Sequence, residues 1–125
     1  MGWAWVALDV VLAIHDRQIA EHGGLAGTRD AALVDSALAR PQNLAAYGKP
    51  DAAELAAAYA YALAKNHGFS DGNKRSAWVV ARLFLWLNGG TLKFNPADAV
   101  ALMLGVAGGT ISKPQLAFWF RERAA

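Results

Sequence analysis

The stretch from Asn73 to Leu87 limits what this chain can become more than any other. Trp78, Val79, Val80, Ala81, Leu83, Phe84, Leu85, Trp86 and Leu87 set apolar side chains around the full circumference of a helix. Such a helix is stable in water only when other elements surround it. A membrane crossing needs about 20 apolar residues in a row, and Arg82 breaks this run. The pattern therefore predicts the central helix of a bundle, ended by Asn88-Gly89-Gly90.

The rest of the chain predicts the helices that cover it. Leu8, Val11, Leu12, His15 and Ile19 share one face of a first helix that stops at His22-Gly23-Gly24. A glycine-bearing loop, Gly24 to Arg29, leads to a short second helix from near Asp30 to just before Pro41, since proline inside a helix removes a hydrogen bond. Pro41 to Pro50 then reads as a loop without periodicity. Asp51 with Glu54 forms a capping-box pattern that opens a third helix to about Asn66. Thr91 to Phe94 reads as a short extended piece. Asn95-Pro96 opens a fifth helix ending at Gly108-Gly109, and Ser112 with Gln115 opens a sixth to about Arg123. The expected fold class is all-α: one domain over residues 1–125, a compact bundle of about six helices around a buried central helix.

Composition narrows the function. A chain of 125 residues can bury a core without a disulfide or structural metal. It has no cysteine, which removes thiol catalysis and thiolate metal sites and fits a reducing compartment. A net charge of +2 without a basic stripe argues against direct nucleic-acid binding and against an anionic membrane surface. Met1-Gly2-Trp3-Ala4-Trp5 lacks the cationic start of a leader peptide, so the expected location is cytoplasmic.

The chemistry concentrates between the third and fourth helices, in His67-Gly68-Phe69-Ser70-Asp71-Gly72-Asn73-Lys74-Arg75. Lys74 and Arg75 fall in the first turn of a helix, where the positive end of the macrodipole disfavours cations by a few tenths of a kcal/mol or more each. An anion bound there would reverse that penalty. The amides of Gly72, Asn73 and Lys74 would face it, Gly72 would let it approach the backbone, and the two cations would neutralise it. Asp71 is placed to hold Mg²⁺, which takes one or two carboxylates plus substrate phosphates. His67 could take a proton from an attacking hydroxyl. Phe69 reads as a core plug that fixes the loop. Each residue also has a structural reading: His67-Gly68 as a helix end with glycine as the left-handed cap, Asp71-Gly72 as a turn, Asp71 as an N-cap. Those readings leave Lys74 and Arg75 unexplained. A Walker loop is excluded, because Gly68 and Gly72 are separated by three residues and a helix precedes the loop.

The nine-residue motif resembles the signature of the death-on-curing (Doc) toxins, a branch of the Fic-domain superfamily. Ala13 to Arg17, His22 to Leu25, Arg29-Asp30, Ser36 to Gln42 and Leu87 to Gly89 resemble that branch as well. Fic enzymes carry Asn-Gly-Arg and transfer AMP from ATP to a protein hydroxyl. Here the sequence is Asn73-Lys74-Arg75, the Doc form, and the second arginine of the Fic pattern is replaced by Trp78. The resemblance implies a reversed nucleotide and transfer of its γ-phosphate, the lysine adding bulk and charge where phosphates would otherwise pass the backbone.

That resemblance further implies His67 as general base on a Ser or Thr hydroxyl, Asp71 as the Mg²⁺ ligand, and Gly72, Asn73, Lys74 and Arg75 as the ATP-phosphate site. It implies a toxin of a type II toxin–antitoxin system, with elongation factor Tu as protein target, halted translation and growth arrest as outcome, and a bacterial cytoplasm as setting. No Ser/Thr-x-x-x-Glu inhibitory pattern surrounds Glu21, Glu54 or Glu122, so inhibition is expected in trans from a Phd-like antitoxin. The Pro41 to Pro50 segment stands where the Fic flap docks the target, making Asn43 and Tyr47 the expected docking residues. Gly68 departs from the common proline and is expected to loosen the loop. The alternatives are an AMP transferase, a catalytically silent Fic-fold module, and a helical nucleic-acid binder. His15 reads as a satisfied core histidine, the tryptophans as core, and Arg82 as either a nucleotide contact or a snorkelling cation.

Overall fold

Alanine decides the centre of the fold. The structure, a computed structural model, describes residues 2–125; Met1, the first residue of the segment read for a leader, lies outside them. Six helices follow in order: α1 (Leu8–His22), α2 (Ala31–Tyr47), α3 (Ala52–Asn66), α4 (Asn73–Leu87), α5 (Pro96–Gly108) and α6 (Lys113–Glu122). The all-α class and the helix count agree with the sequence.

The identity of the central helix does not. α3 buries Leu55, Ala56, Ala57, Ala58, Tyr59, Ala60, Leu63 and Ala64 and packs against α2, α4, α5 and α6. Small side chains let all four neighbours approach at once. α4 is instead amphipathic: Ser76, Ala77, Val80, Ala81, Phe84 and Leu85 face inward, while Trp86 is 67% exposed and Arg82 lies at the surface. Trp86 is also the exception among the tryptophans, since Trp3, Trp5, Trp78 and Trp119 pack on the core.

A second correction concerns α2. The helix runs through Pro41 to Tyr47, so the expected loop shrinks to the few residues before Asp51. Val34, Ala37, Leu38 and Pro41 form one buried face, and partly buried Ala45 continues it. Proline in a helix interior costs about 3 kcal/mol; here that face, packed on α3, carries the helix past it.

The capping boxes fall where the sequence put them. Asp51 accepts from the Glu54 backbone N–H at 2.8 Å, and Ser112 pairs reciprocally with Gln115. Asn95 caps α5 with Pro96 at its start. The expected extended piece survives as a single bridge between Leu92 and Ala124. At the amino end, the Tyr59 hydroxyl accepts the Val6 N–H at 3.0 Å, and Asn88 holds Ala4 by two hydrogen bonds. That strap lays Trp3 and Trp5 on Phe84. Among the described residues no helix is long and apolar enough to cross a membrane.

Candidate active site

The loop between α3 and α4 is built by local hydrogen bonds that the sequence reading had assigned differently. α3 ends in His67, which takes the left-handed conformation itself (φ 52°, ψ 43°). It is the one non-glycine residue with positive φ among the described residues. Such backbone costs free energy and concentrates at functional sites. Glycine at position 68 serves another purpose. A Cβ there would lie 2.6 Å from Val34 Cγ2 and 3.1 Å from Val34 N. The Gly68 carbonyl accepts from both Arg29 N and Asp30 N at 2.9 Å. Gly68 therefore tightens the junction between loop and α2 rather than loosening it. Gly68→Ala should destabilise the fold by about 1–3 kcal/mol through overpacking, read as a lower midpoint in urea; an unchanged midpoint would mean that Val34 yields freely.

Phe69 is buried, as expected, and Asn73 secures it. The Asn73 side chain accepts from Phe69 N and donates to Phe69 O, both at 3.1 Å. The Asn73 amide group is thus committed to the loop, leaving its backbone N–H as its contribution to an anion site. Gly72 contributes space and not its N–H, which Asp71 Oδ1 accepts at 2.8 Å. Gly72 sits at φ 73°, where a Cβ would meet Ile19, Arg75 and His15 within 4 Å. No side chain caps α4, and its first turn holds no acid. Its leading N–H groups point out of the helix with Lys74 and Arg75 beside them.

The surroundings of Asp71 favour its ionised form. The Gly72 and Leu25 N–H groups donate to its two oxygens, and with Arg75 and Lys74 nearby they hold its carboxyl below the usual range. It is not an N-cap. Arg75 donates from Nη2 to the Gly23 carbonyl at 3.0 Å, and its Nε is buried without a partner. Ala64, His67, Ser70, Asp71, Gly72, Asn73, Lys74 and Arg75 line one polar cavity of about 240 Å³. The predicted residues converge there, Phe69 supporting them from beneath.

Asn43 and Tyr47 do not join them. Asn66, at the carboxyl end of α3, donates to Leu33 near the start of α2. α2 therefore runs antiparallel to α3, and its last turn lies beside the amino end of α3. Leu44 shares a surface cavity with Glu54 and Arg121. The fifteen residues of α3 place that end about 22 Å from the motif. Tyr47 is exposed there.

The sequence reading missed the partner of the motif, the turn after α1. Gly23 supplies a carbonyl to Arg75, Leu25 an N–H to Asp71, and a Cβ on Gly24 would lie 2.6 Å from Asp71 Oδ2. The Gly23-Gly24 pair, which the sequence marks as a helix stop and as part of the family resemblance, was the available signal. Thr28 bridges to Phe69, and Ser70 N donates to the Gly27 carbonyl at 3.2 Å.

Arg82 forms part of a cavity wall. Its guanidinium lies over Phe94 at 4.9 Å and Trp78 at 5.8 Å. With Lys74, Arg75 and residues of α5 it lines an apolar cavity of about 450 Å³ next to the polar one.

The fold and the site together define an all-α domain in which an uncapped, cation-bearing helix start shares one cavity with a carboxylate and a histidine. Residues 5–85, which contain the whole motif, match the Fic/DOC family, and the chain belongs to it. Over 118 residues the chain is 35% identical to "Protein kinase doc" of Escherichia phage P1, covering 94% of this chain and 93% of that protein. Over 70 residues it is 47% identical to "Toxin Doc" of Mycolicibacterium smegmatis (strain ATCC 700084 / mc(2)155), 54% of this chain and 53% of that one.

Proposed function

We propose that the chain is a toxin that transfers the γ-phosphoryl group of ATP to a Ser or Thr hydroxyl of a protein. The observation that carries this reading is the polar cavity in which His67, Asp71, Lys74, Arg75 and the uncapped start of α4 meet. The relatives named as a protein kinase and a toxin support the same direction.

Each residue has a task that its geometry suits. His67 is exposed at the cavity and takes the proton of the attacking hydroxyl. The α4 N–H groups of Asn73 and Lys74, with the Lys74 ammonium and the Arg75 guanidinium, hold phosphate oxygens and offset the charge that develops on them. The Asn73 side chain and Phe69 keep these groups in register. Asp71 fits Mg²⁺: it is an exposed, ionised carboxylate whose oxygens each accept one N–H and retain lone pairs. Among the described residues no cluster of three acids or histidines surrounds it, which suits an ion shared with substrate phosphates. Mg²⁺ held by Asp71 would supply charge neutralisation to the phosphates.

The protein target is a translation factor, with elongation factor Tu first among candidates, and growth arrest is the consequence. Restraint comes from a Phd-like antitoxin in trans, within a type II toxin–antitoxin pair in the bacterial cytoplasm. A second reading, AMP transfer, is favoured by one observation. The apolar cavity beside Lys74 and Arg75 offers room for a nucleoside on that side of the motif.

Mass spectrometry of bacterial lysate proteins incubated with the chain, Mg²⁺ and ATP separates the two. A gain of one phosphoryl group on a protein hydroxyl, lost on chelation of Mg²⁺, is expected. A gain of AMP would select the second reading, and no gain of either kind would contradict both.

A further inference from the structure

We propose that His15, in α1, is a positioning residue of the reaction centre, holding the Asp71 main chain and the Phe69 ring so that the Asp71 carboxylate keeps its place in the polar cavity. The inference rests on the phosphoryl-transfer reading of that cavity.

His15 is 1% exposed, one of two buried polar residues in the described chain. Its Nε2 stands 2.7 Å from the Asp71 carbonyl oxygen. A carbonyl only accepts, so Nε2 carries the proton and donates. The imidazole also lies on the Phe69 ring, centroids 3.8 Å apart and planes within 6°. A Cβ built on Gly72 would come within 3.7 Å of His15 Cδ2. One side chain therefore touches or borders residues 69, 71 and 72.

Around Asp71 the motif makes side-chain hydrogen bonds within itself: Asn73 with Phe69, and Gly72 with Asp71. These bonds fix the shape of the loop; backbone bonds of Gly68 with Arg29 and Asp30 and of Ser70 with Gly27 attach its first half to the segment before α2, and leave the main chain of Asp71 to His15. His15 is the buried side chain that ties the main chain of Asp71 to α1, and Leu25 N–H steadies the carboxylate from the turn that follows α1. Burying a polar imidazole is costly unless its hydrogen bonds are made. An apolar residue would fill the same space without that requirement, so core packing alone does not account for a histidine. His15 touches no reacting atom; it acts through Asp71, as residues behind a ligand orient it.

The test uses the full chain with two variants. His15→Phe keeps a ring on Phe69 and removes the donor. His15→Gln keeps an N–H near the place of Nε2 and removes the ring. Amide hydrogen exchange at Gly72 and Leu25, whose N–H groups Asp71 accepts, reads the positioning without any activity. His15→Phe should speed exchange at those two amides while Leu55 and Ala56 inside α3 stay protected. It should also raise the Mg²⁺ concentration for half-maximal transfer about 10–100-fold, with KM for the protein acceptor unchanged. His15→Gln should recover both values. Wild-type exchange at Gly72 and Leu25 in His15→Phe would overturn the proposal, as would equal loss in both variants accompanied by opening of α3. If the unaltered chain transfers no phosphoryl group, the functional reading fails, and the exchange at those two amides decides the role of His15 alone.

Discussion

Replacing His67 with alanine is expected to slow phosphoryl transfer about 10²–10⁴-fold, the range a positioned general base supplies. Its ring is exposed at the polar cavity and carries no hydrogen bond to the body among the described residues, so the fold should not depend on it. The backbone complicates a simple deletion, because position 67 is left-handed. His67→Asn separates the two effects. Asparagine tolerates that backbone better than most residues and offers no group able to take the proton at neutral pH. His67→Asn should melt close to the unaltered chain, and both variants should lose transfer. Activity retained by His67→Asn would show that the left-handed turn, and not the imidazole, is what position 67 contributes.

The second large effect lies beneath the loop. Phe69→Ala should cost about 3–5 kcal/mol, as removal of a buried aromatic does. That is a large part of the 5–15 kcal/mol that holds a typical domain together. The ring is 2% exposed, stacks on His15 and sits where Thr28 bridges to the loop. Its loss would leave His15 facing a void and free the segment that carries Asp71. Denaturant unfolding should show the loss of stability, and in material still folded, transfer should fall with it. A change below about 1 kcal/mol would mean that the loop is not anchored by packing.

The motif was legible because it breaks a local rule. Cations in the first turn of α4 demanded an explanation that turns and caps did not give, and the structure places both beside the carboxylate and the histidine. The capping boxes at Asp51 and Ser112 were legible for a related reason: a cap is specified by residues three apart, with no help from the rest of the chain. Features set by tertiary packing were not. Large apolar residues made α4 look central, yet alanine allows α3 to be covered on four sides. Pro41 looked like a stop, although the burial pattern from Val34 to Ala45 runs through it. The continuous helix takes Asn43 and Tyr47, expected on a flap-like loop, to the far end of α3. His15 was read as a satisfied core histidine, which it is; its acceptor, the Asp71 carbonyl 56 residues away, has no trace in the local sequence.

The central claim is that the start of α4 is where phosphate is bound. The most direct measurement is the amide spectrum of ¹⁵N-labelled chain during titration with Mg²⁺ and ATP. The account predicts the largest shifts at Asn73, Lys74 and Arg75, accompanied by Gly72 and Leu25 through the Asp71 carboxylate, and absent at Asn43 and Tyr47. Shifts centred anywhere other than this helix start, or none at saturating nucleotide, would contradict it.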